Sequence, residues 1–191
     1  MHENNVYQNI HQDIIDRCRK GEQKAQFQLY KLYYKAMYNT SYRILNNRME
    51  AEDAMQESFL KAFDKIETYS GKVSFGAWLK RIVINQSLDE LKKNKIDDRF
   101  IEDEGVKLKE TAEEDENDET EKNFNIDDIK EAMNDLPDGY RIVLSLYLLE
   151  GYDHDEISQI LNISSSTSRS QYTRAKNKLK KQLKEKTKSD E

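Results

Sequence analysis

The sequence predicts an all-α protein: two small helical domains joined by a flexible acidic linker, the C-terminal one a helix-turn-helix. Three observations carry this. The 191 residues are rich in Lys, Glu, Leu and Ile and hold one proline and six glycines, a composition that favours helix and leaves little turn punctuation. Apolar residues recur at three- and four-residue spacing instead of alternating. Charge is also segregated. Residues 97–121 carry 13 acidic and three basic side chains, whereas residues 164–188 carry nine Lys or Arg and one Glu. The formal net charge of −6 therefore conceals an acidic middle and a basic end, and a chain of this length suits one large or two small domains.

In order along the chain, Ile10 to Cys18 starts a first helix with Ile14, Ile15 and Cys18 on one stripe. Gly21 interrupts, and Ala25 to Leu45 continues with Phe27, Leu29, Leu32, Tyr33, Met37 and Tyr38. Asn46-Asn47 breaks the pattern. Met49 to Ile66 comes next, with Met55, Phe59, Phe63 and Ile66 spaced for burial. Glu67 to Gly76 reads as a loop around Ser70-Gly71, and Ala77 to Lys95 as a helix with Trp78, Ile82, Ile84 and Leu88 partly buried. Residues 97–123 are too charged and too poor in large apolar side chains to offset the entropy of ordering. Ile126 to Leu136 is amphipathic, Pro137-Asp138-Gly139 a turn, and Tyr140 to Glu150 strongly apolar, with Ile142, Val143, Leu146, Tyr147 and Leu149 as core. Asp153 to Glu156 opens a short helix with Ile157, Ile160 and Leu161 on one face. Asn162-Ile163-Ser164 is a tight connection, Ser164 to Thr167 offers N-caps, and a basic helix runs on through Gln182.

Several chemistries lack their residues. His2, His11 and His154 are scattered and have no ligand spacing with Cys18, so no metal site is expected. Gly71-Lys72-Val73-Ser74 is only superficially a phosphate loop: Ile66 stands where its first glycine belongs, and Val73 occupies the Ser/Thr place. Glu52-Asp53 and Asp127-Asp128 read as solvated faces. No nucleophile has a partnered base, so no catalytic residue and no cofactor are expected. One cysteine excludes an intrachain disulfide and fits a reducing compartment; Cys18 reads as a small apolar packing residue. No apolar run approaches the roughly 18–20 residues that span a bilayer, and the polar start Met1-His2-Glu3-Asn4-Asn5 has no signal-peptide core. A cytoplasmic location without membrane insertion is expected.

Three surfaces remain. On the Met49 to Ile66 helix, Asp53, Gln56, Glu57, Leu60 and Asp64 share the side away from the core, which reads either as a protein-docking stripe or as an ordinary amphipathic surface. From Tyr69 to Lys95, aromatics mix with Lys72, Lys80, Arg81, Asn85, Lys92 and Lys93. Aromatic faces stack on unpaired bases and cations track phosphates, so Tyr69, Phe75 and Trp78 either receive a splayed base or seal the core. In the last helix, Ser168, Tyr172, Ala175 and Leu179 form the inward stripe. Ser166, Arg169, Ser170, Thr173 and Arg174 look outward, with Gln171 at the margin. Arg bonds guanine bidentately, and Ser or Thr meets bases or phosphates. Lys176 and the later lysines read as phosphate contacts. Two helices joined by a short turn, the second basic, is the arrangement that enters a major groove.

Taken in order, these pieces resemble the extracytoplasmic-function (ECF) sigma factors of bacterial RNA polymerase, over about residues 14–183. The segments that carry the resemblance are Ala51-Glu52-Asp53-Ala54-Met55-Gln56-Glu57-Ser58-Phe59-Leu60, Ser74-Phe75-Gly76-Ala77-Trp78-Leu79-Lys80-Arg81-Ile82 with Asn85, and Leu136-Pro137 with Tyr140-Arg141, Glu156-Ile157 and Thr167 to Leu179. The resemblance implies a region-2-like domain at 8–95, a linker at 96–123 that threads near the polymerase's active-site cleft and RNA exit path, and a region-4-like domain at 124–185. It implies core RNA polymerase as partner, through its largest-subunit coiled coil and its flap, with Asp53, Gln56, Glu57 and Leu60 docking on the coiled coil. It places Tyr69, Phe75, Trp78, Lys80, Arg81 and Asn85 at a melted −10 element. Ser166, Thr167, Arg169, Ser170, Gln171, Thr173, Arg174 and Lys176 fall at the −35 groove. An anti-sigma factor is implied as a further partner. The chain departs from the pattern at Ser168, where the family usually has Val. A buried hydroxyl there needs an acceptor, for which the carbonyl one turn earlier is expected. The linker is also unusually acidic. Two rivals are a stand-alone transcription regulator, against which the Asp53-Gln56 and Phe75-Trp78 motifs speak, and a nuclease, for which no ligand cluster exists.

Overall fold

The structure is a computed structural model that describes residues 10–94 and 125–189, all helix and turn. The chain divides into two compact units that part between Ile96 and Asp97. The expected tether at 96–123 lies outside the described residues.

The N-terminal unit contains α1 (Gln12–Arg19), α2 (Gln23–Leu45), α3 (Arg48–Asp64), a 3-10 turn (Ile66–Thr68) and α4 (Phe75–Asn94). Helices α2, α3 and α4 pack on one another around Leu29, Met37, Met55, Phe59, Phe75, Leu79 and Val83. Two asparagines make the α2–α3 connection. Asn46 adopts the left-handed conformation (φ 53°), in which its N–H reaches the Tyr42 carbonyl, and the Asn47 side chain accepts from the N–H groups of Met49 and Glu50. These are the two devices that close one helix and open the next. Where the helices come close, buried hydroxyls are partnered: Ser41 with Ser87 at 2.8 Å, and Ser58 with the Ala54 carbonyl at 2.6 Å.

Three expectations for this unit change. Phe27 and Leu32 are 57% and 49% exposed. Helix α2 meets α1, α3 and α4 on several sides, so its apolar residues circle it and periodicity does not say which one is left over. Ile66 is buried, but in the 3-10 turn beyond the end of α3. Helix α4 begins at Phe75, so Phe75 and Gly76 are helical. Cys18 packs inside as expected, and burial pushes its thiol up to about 11.

The C-terminal unit contains α5 (Ile126–Asn134), α6 (Asp138–Leu148), α7 (His154–Leu161) and α8 (Ser165–Ser189). Leu136, Leu144 and Ala175 form a cluster packed by Met133, Tyr140, Tyr172 and Leu179, with Ile142, Val143, Leu146 and Ile157 also buried. Asp138 and Gly139 belong to the first turn of α6, not to a free turn, with Pro137 before them as N-cap. Arg141 is buried and closes that corner, donating to the Leu136 carbonyl at 3.1 Å and to Asp138. Tyr147 and Leu149, expected in the core, are 37% and 48% exposed. Helix α8 continues past Gln182 to Ser189.

Candidate docking and nucleic-acid surfaces

Helix α3 presents its inward side through Ala51, Ala54, Met55, Ser58, Phe59 and Ala62. This fixes the opposite side. Asp53, Gln56, Glu57 and Leu60 are all exposed, and Leu60 is 61% exposed. Gln56 donates to Glu52 one turn earlier at 3.4 Å. Met49 stands in the first turn of α3, where the sequence marks only a helix start. It is 75% exposed and, at about 3.6 residues per turn, lies on the same stripe as Asp53, Gln56 and Leu60. The signal for it is the spacing of seven and eleven residues. The stripe is thus acidic and amide in its centre, with one large apolar side chain toward each end.

The second expected set separates. Tyr69 is 3% exposed and Phe75 is fully buried. Their rings meet edge to face at 5.5 Å, and both touch Trp78 at 5.3 and 5.5 Å. The Tyr69 hydroxyl donates to the Val73 carbonyl at 2.6 Å, and Arg19 donates to the Tyr69 carbonyl at 2.6 Å. These contacts occupy both rings, so Tyr69 and Phe75 support the loop from beneath and offer no open face to a base. Trp78 is half-buried and keeps some surface. Trp78, Arg81 and Asn85 share one face of α4, with Asn85 exposed and Arg81 half-buried. Lys80 is half-buried on the other side of the helix, so it does not share that face with Arg81 and Asn85.

The third set is brought together. Ser164 caps α8: its hydroxyl accepts from the Thr167 N–H at 3.0 Å and pairs with the hydroxyls of Ser166 and Thr167 at 2.8 Å. Buried Ser168 and Ala175, with half-buried Tyr172 and Leu179, turn α8 inward along one stripe. Ser166, Arg169, Ser170, Thr173, Arg174 and Lys176 are exposed, and Thr167 and Gln171 are half-buried. Ser170 and Thr173 donate back to the carbonyls of Thr167 and Arg169 at 3.1 Å, so each keeps its lone pairs outward as acceptors.

Helix α7 sets the angle of α8 through polar contacts. Asp153 and Glu156 form a reciprocal capping box. Asp155 accepts from the Ser165 hydroxyl, and the buried Ser168 hydroxyl pairs with His154 Nδ1 at 2.9 Å. The partner of Ser168 is therefore a side chain across the turn and not the carbonyl one turn earlier. The His154 ring stacks on Tyr147 at 4.6 Å and meets Tyr172 edge-on at 5.7 Å. Asn162, left-handed at φ 55°, makes the turn between the two helices.

No group of three or more His, Cys, Asp or Glu suited to a metal ion occurs among the described residues. No helix among them is long and apolar enough to cross a membrane.

Residues 29–96 match the family Sigma-70 region 2, and residues 126–179 match Sigma-70, region 4. The chain is 30% identical over 178 residues to the ECF RNA polymerase sigma factor SigW of Bacillus subtilis (strain 168), covering 90% of this chain and 95% of that one. It is also 30% identical over 158 residues to SigM of the same organism, covering 80% of this chain and 91% of that one. The fold resembles that of the sigma factor RpoE from Bartonella quintana, solved in complex with the anti-sigma factor NepR, with a TM-score of 0.56 and 23% identity over 82% of this chain and 95% of that one. An exposed acidic stripe on α3, a loop-to-helix junction and a basic second helix in a helix-turn-helix thus sit within two matched regions, and the chain belongs to the ECF sigma factors, the initiation subunits that bind core RNA polymerase and direct transcription.

Proposed function

We propose how the family's work divides among these residues. The α3 stripe of Asp53, Gln56, Glu57 and Leu60 docks on the coiled coil of the polymerase's largest subunit, within a core-binding domain spanning 8–95. The outer face of α4, with Trp78, Arg81 and Asn85, meets the melted −10 strand; Tyr69 and Phe75 hold the loop that leads into it, and Lys80, on the other side of α4, lies off that contact. The domain at 124–185 inserts the start of α8 into the −35 major groove. There Arg169, Ser170, Thr173 and Arg174 face base edges, Ser166, Thr167 and Gln171 flank them, and Lys176 meets phosphate. The acidic segment 96–123 tethers the two. Binding to the opened strand pulls the duplex toward the melted state, because a ligand shifts an equilibrium by its differential affinity. The protein acts as a specificity subunit in the cytoplasm and not as an enzyme. Because a solved structural relative is complexed with an anti-sigma factor, a partner of that kind is proposed here as well.

The observation that carries this reading is the orientation of α8. Fully buried Ser168 and Ala175 leave Arg169 and Thr173 exposed near the start of a 25-residue helix whose remaining length is basic. The test is in vitro transcription with core polymerase on a promoter library. Arg169→Ala should lower promoter use about 5- to 150-fold at the bases it reads, the equivalent of about 1–3 kcal/mol, and relax preference there. An unchanged preference would remove Arg169 from the groove.

A further inference from the structure

We propose that the solvent face of α2, carrying Lys24, Lys31 and Lys35, is a third nucleic-acid surface that tracks the phosphate backbone of promoter DNA. The proposal rests on the promoter-binding reading above and extends it to a helix that reading leaves unused.

The first observation is where acid is missing. In a chain with 37 Asp and Glu, the three longest acid-free runs are residues 23–49, 68–88 and 157–184. The second contains the −10 candidates and the third contains the −35 candidates. The first is α2 and its connection to α3. A carboxylate beside a phosphate costs energy, so a surface that meets a polyanion excludes it.

The second observation is that these cations are uncompensated. Nearby in α1, Arg17 pairs with Glu22 and Arg19 with Asp16. Lys24, Lys31 and Lys35 have no ion pair among the described residues. Instead Lys31 lies 4.6 Å over the ring of Phe27, and Lys35 lies 6.0 Å from that of Tyr34. Such contacts hold an ammonium group near the helix and leave its charge open to solvent.

The third observation is their alignment. Steps of seven and four residues put the three lysines on one stripe, about 16 Å long at 1.5 Å per residue. Between and beside them stand Gln28 and Asn39, exposed and neutral, with Phe27 and Leu32 also exposed, and toward α3 Lys35 and Asn39 line a groove whose one acid, Glu52, faces Arg48 as well. A row of exposed cations with no carboxylate on its own helix suits a uniformly charged strand, whereas a protein partner needs acids placed to match. The stripe lies across α2 from Tyr33, whose ring packs against Phe75 at the start of α4 at 5.5 Å. It therefore grips a different stretch of DNA from the face of Trp78 and Asn85.

The test uses the holoenzyme, assembled with core polymerase and full-length protein, on a duplex promoter selected by the wild-type holoenzyme from a random library. The triple variant K24A/K31A/K35A should weaken promoter binding alike for good and poor sequences. It should also reduce the slope of log affinity against log salt by about two to three. Circular dichroism and core-polymerase affinity without DNA should stay at wild-type values. A photocrosslinker at position 31 should label DNA. An unchanged salt slope, crosslinks only to protein, or a loss confined to core-polymerase affinity each overturns the proposal. Arg169→Ala run in parallel separates the two readings: if it alters sequence preference while the triple variant is silent, only the α2 surface fails.

Discussion

In the N-terminal unit, buried rings and aliphatic side chains do most to set the outward face of α3; in the C-terminal unit, an inward stripe turns α8 and side-chain hydrogen bonds from α7 fix its start. The α3 stripe points outward because Met55 and Phe59 point inward, and the loop before α4 rests on Tyr69 and Phe75. The start of α8 is held by the Ser164 cap, by Asp155 on Ser165 and by His154 on Ser168. The two modes differ physically. Apolar burial is large and non-directional, and it tolerates small displacements. A hydrogen bond contributes about 1 kcal/mol net but fixes distance and angle. The first suits the docking role proposed for the α3 stripe, which would meet a broad protein surface. The second suits the role proposed for α8, whose side chains would register with base edges.

The contrast breaks most visibly at Phe75. Phe75→Ala should destabilise the N-terminal unit by about 4 kcal/mol through lost burial and the cavity left behind. Denaturant unfolding followed by hydrogen exchange should show α2 to α4 losing protection while α6 to α8 keep theirs. Equal loss in both units would mean that they do not stand separately. Arg141 ranks second. It is buried against Asp138 and the Leu136 carbonyl, and Arg141→Ala strands a buried acceptor and a carboxylate. A loss of about 3 kcal/mol is expected, confined to the C-terminal unit and read as a lower unfolding midpoint there.

The His154–Ser168 pair sharpens the contrast. A double-mutant cycle of His154→Ala with Ser168→Val should return a coupling of about 1 kcal/mol, and additivity of the two single effects would dissolve the clasp. The last and smallest effect concerns Cys18. Its thiol is raised by burial from the ordinary 9.0 to about 11. In the unfolded chain it therefore ionises first, so stability holds below about pH 9 and declines as pH rises from 9 toward 11. At pH 8 iodoacetamide should modify Cys18 slowly in the folded protein and completely in denaturant. Rapid modification of the folded protein would show that α1 opens readily.

The legibility of the sequence divides along the same line. Every described helix is foreseeable, because each has its own periodicity and its own breaker: Gly21, Asn46-Asn47, Pro137 or Asn162. The outward set on α8 is foreseeable too, since Ser168, Tyr172 and Ala175 stand at helical spacing. The pairing of Ser168 with His154 is not. The two are 14 residues apart and meet only when α7 and α8 cross, and no local pattern encodes which polar side chain a buried hydroxyl finds. The exposure of Phe27 and Leu32 is hidden for a different reason: a helix with several neighbours is apolar nearly all round. Burial of Tyr69 depends on a loop folding so that its hydroxyl reaches Val73, and aromatic content alone reads equally as core or as stacking platform.

The Asn46-Asn47 connection acts as an alignment part. One residue ends a helix with a left-handed twist and the next begins another, so nothing between them can absorb slack. An inserted residue would either unseat both caps or, if added within the first turn of α3, swing every later side chain by about 100°. Phe59 would then take the exposed place of Leu60, and Lys61 the buried place of Ala62. Chimeras that exchange α3 between relatives should therefore transfer this dipeptide with it, because the rotational phase of the exposed α3 stripe is fixed in part at that joint.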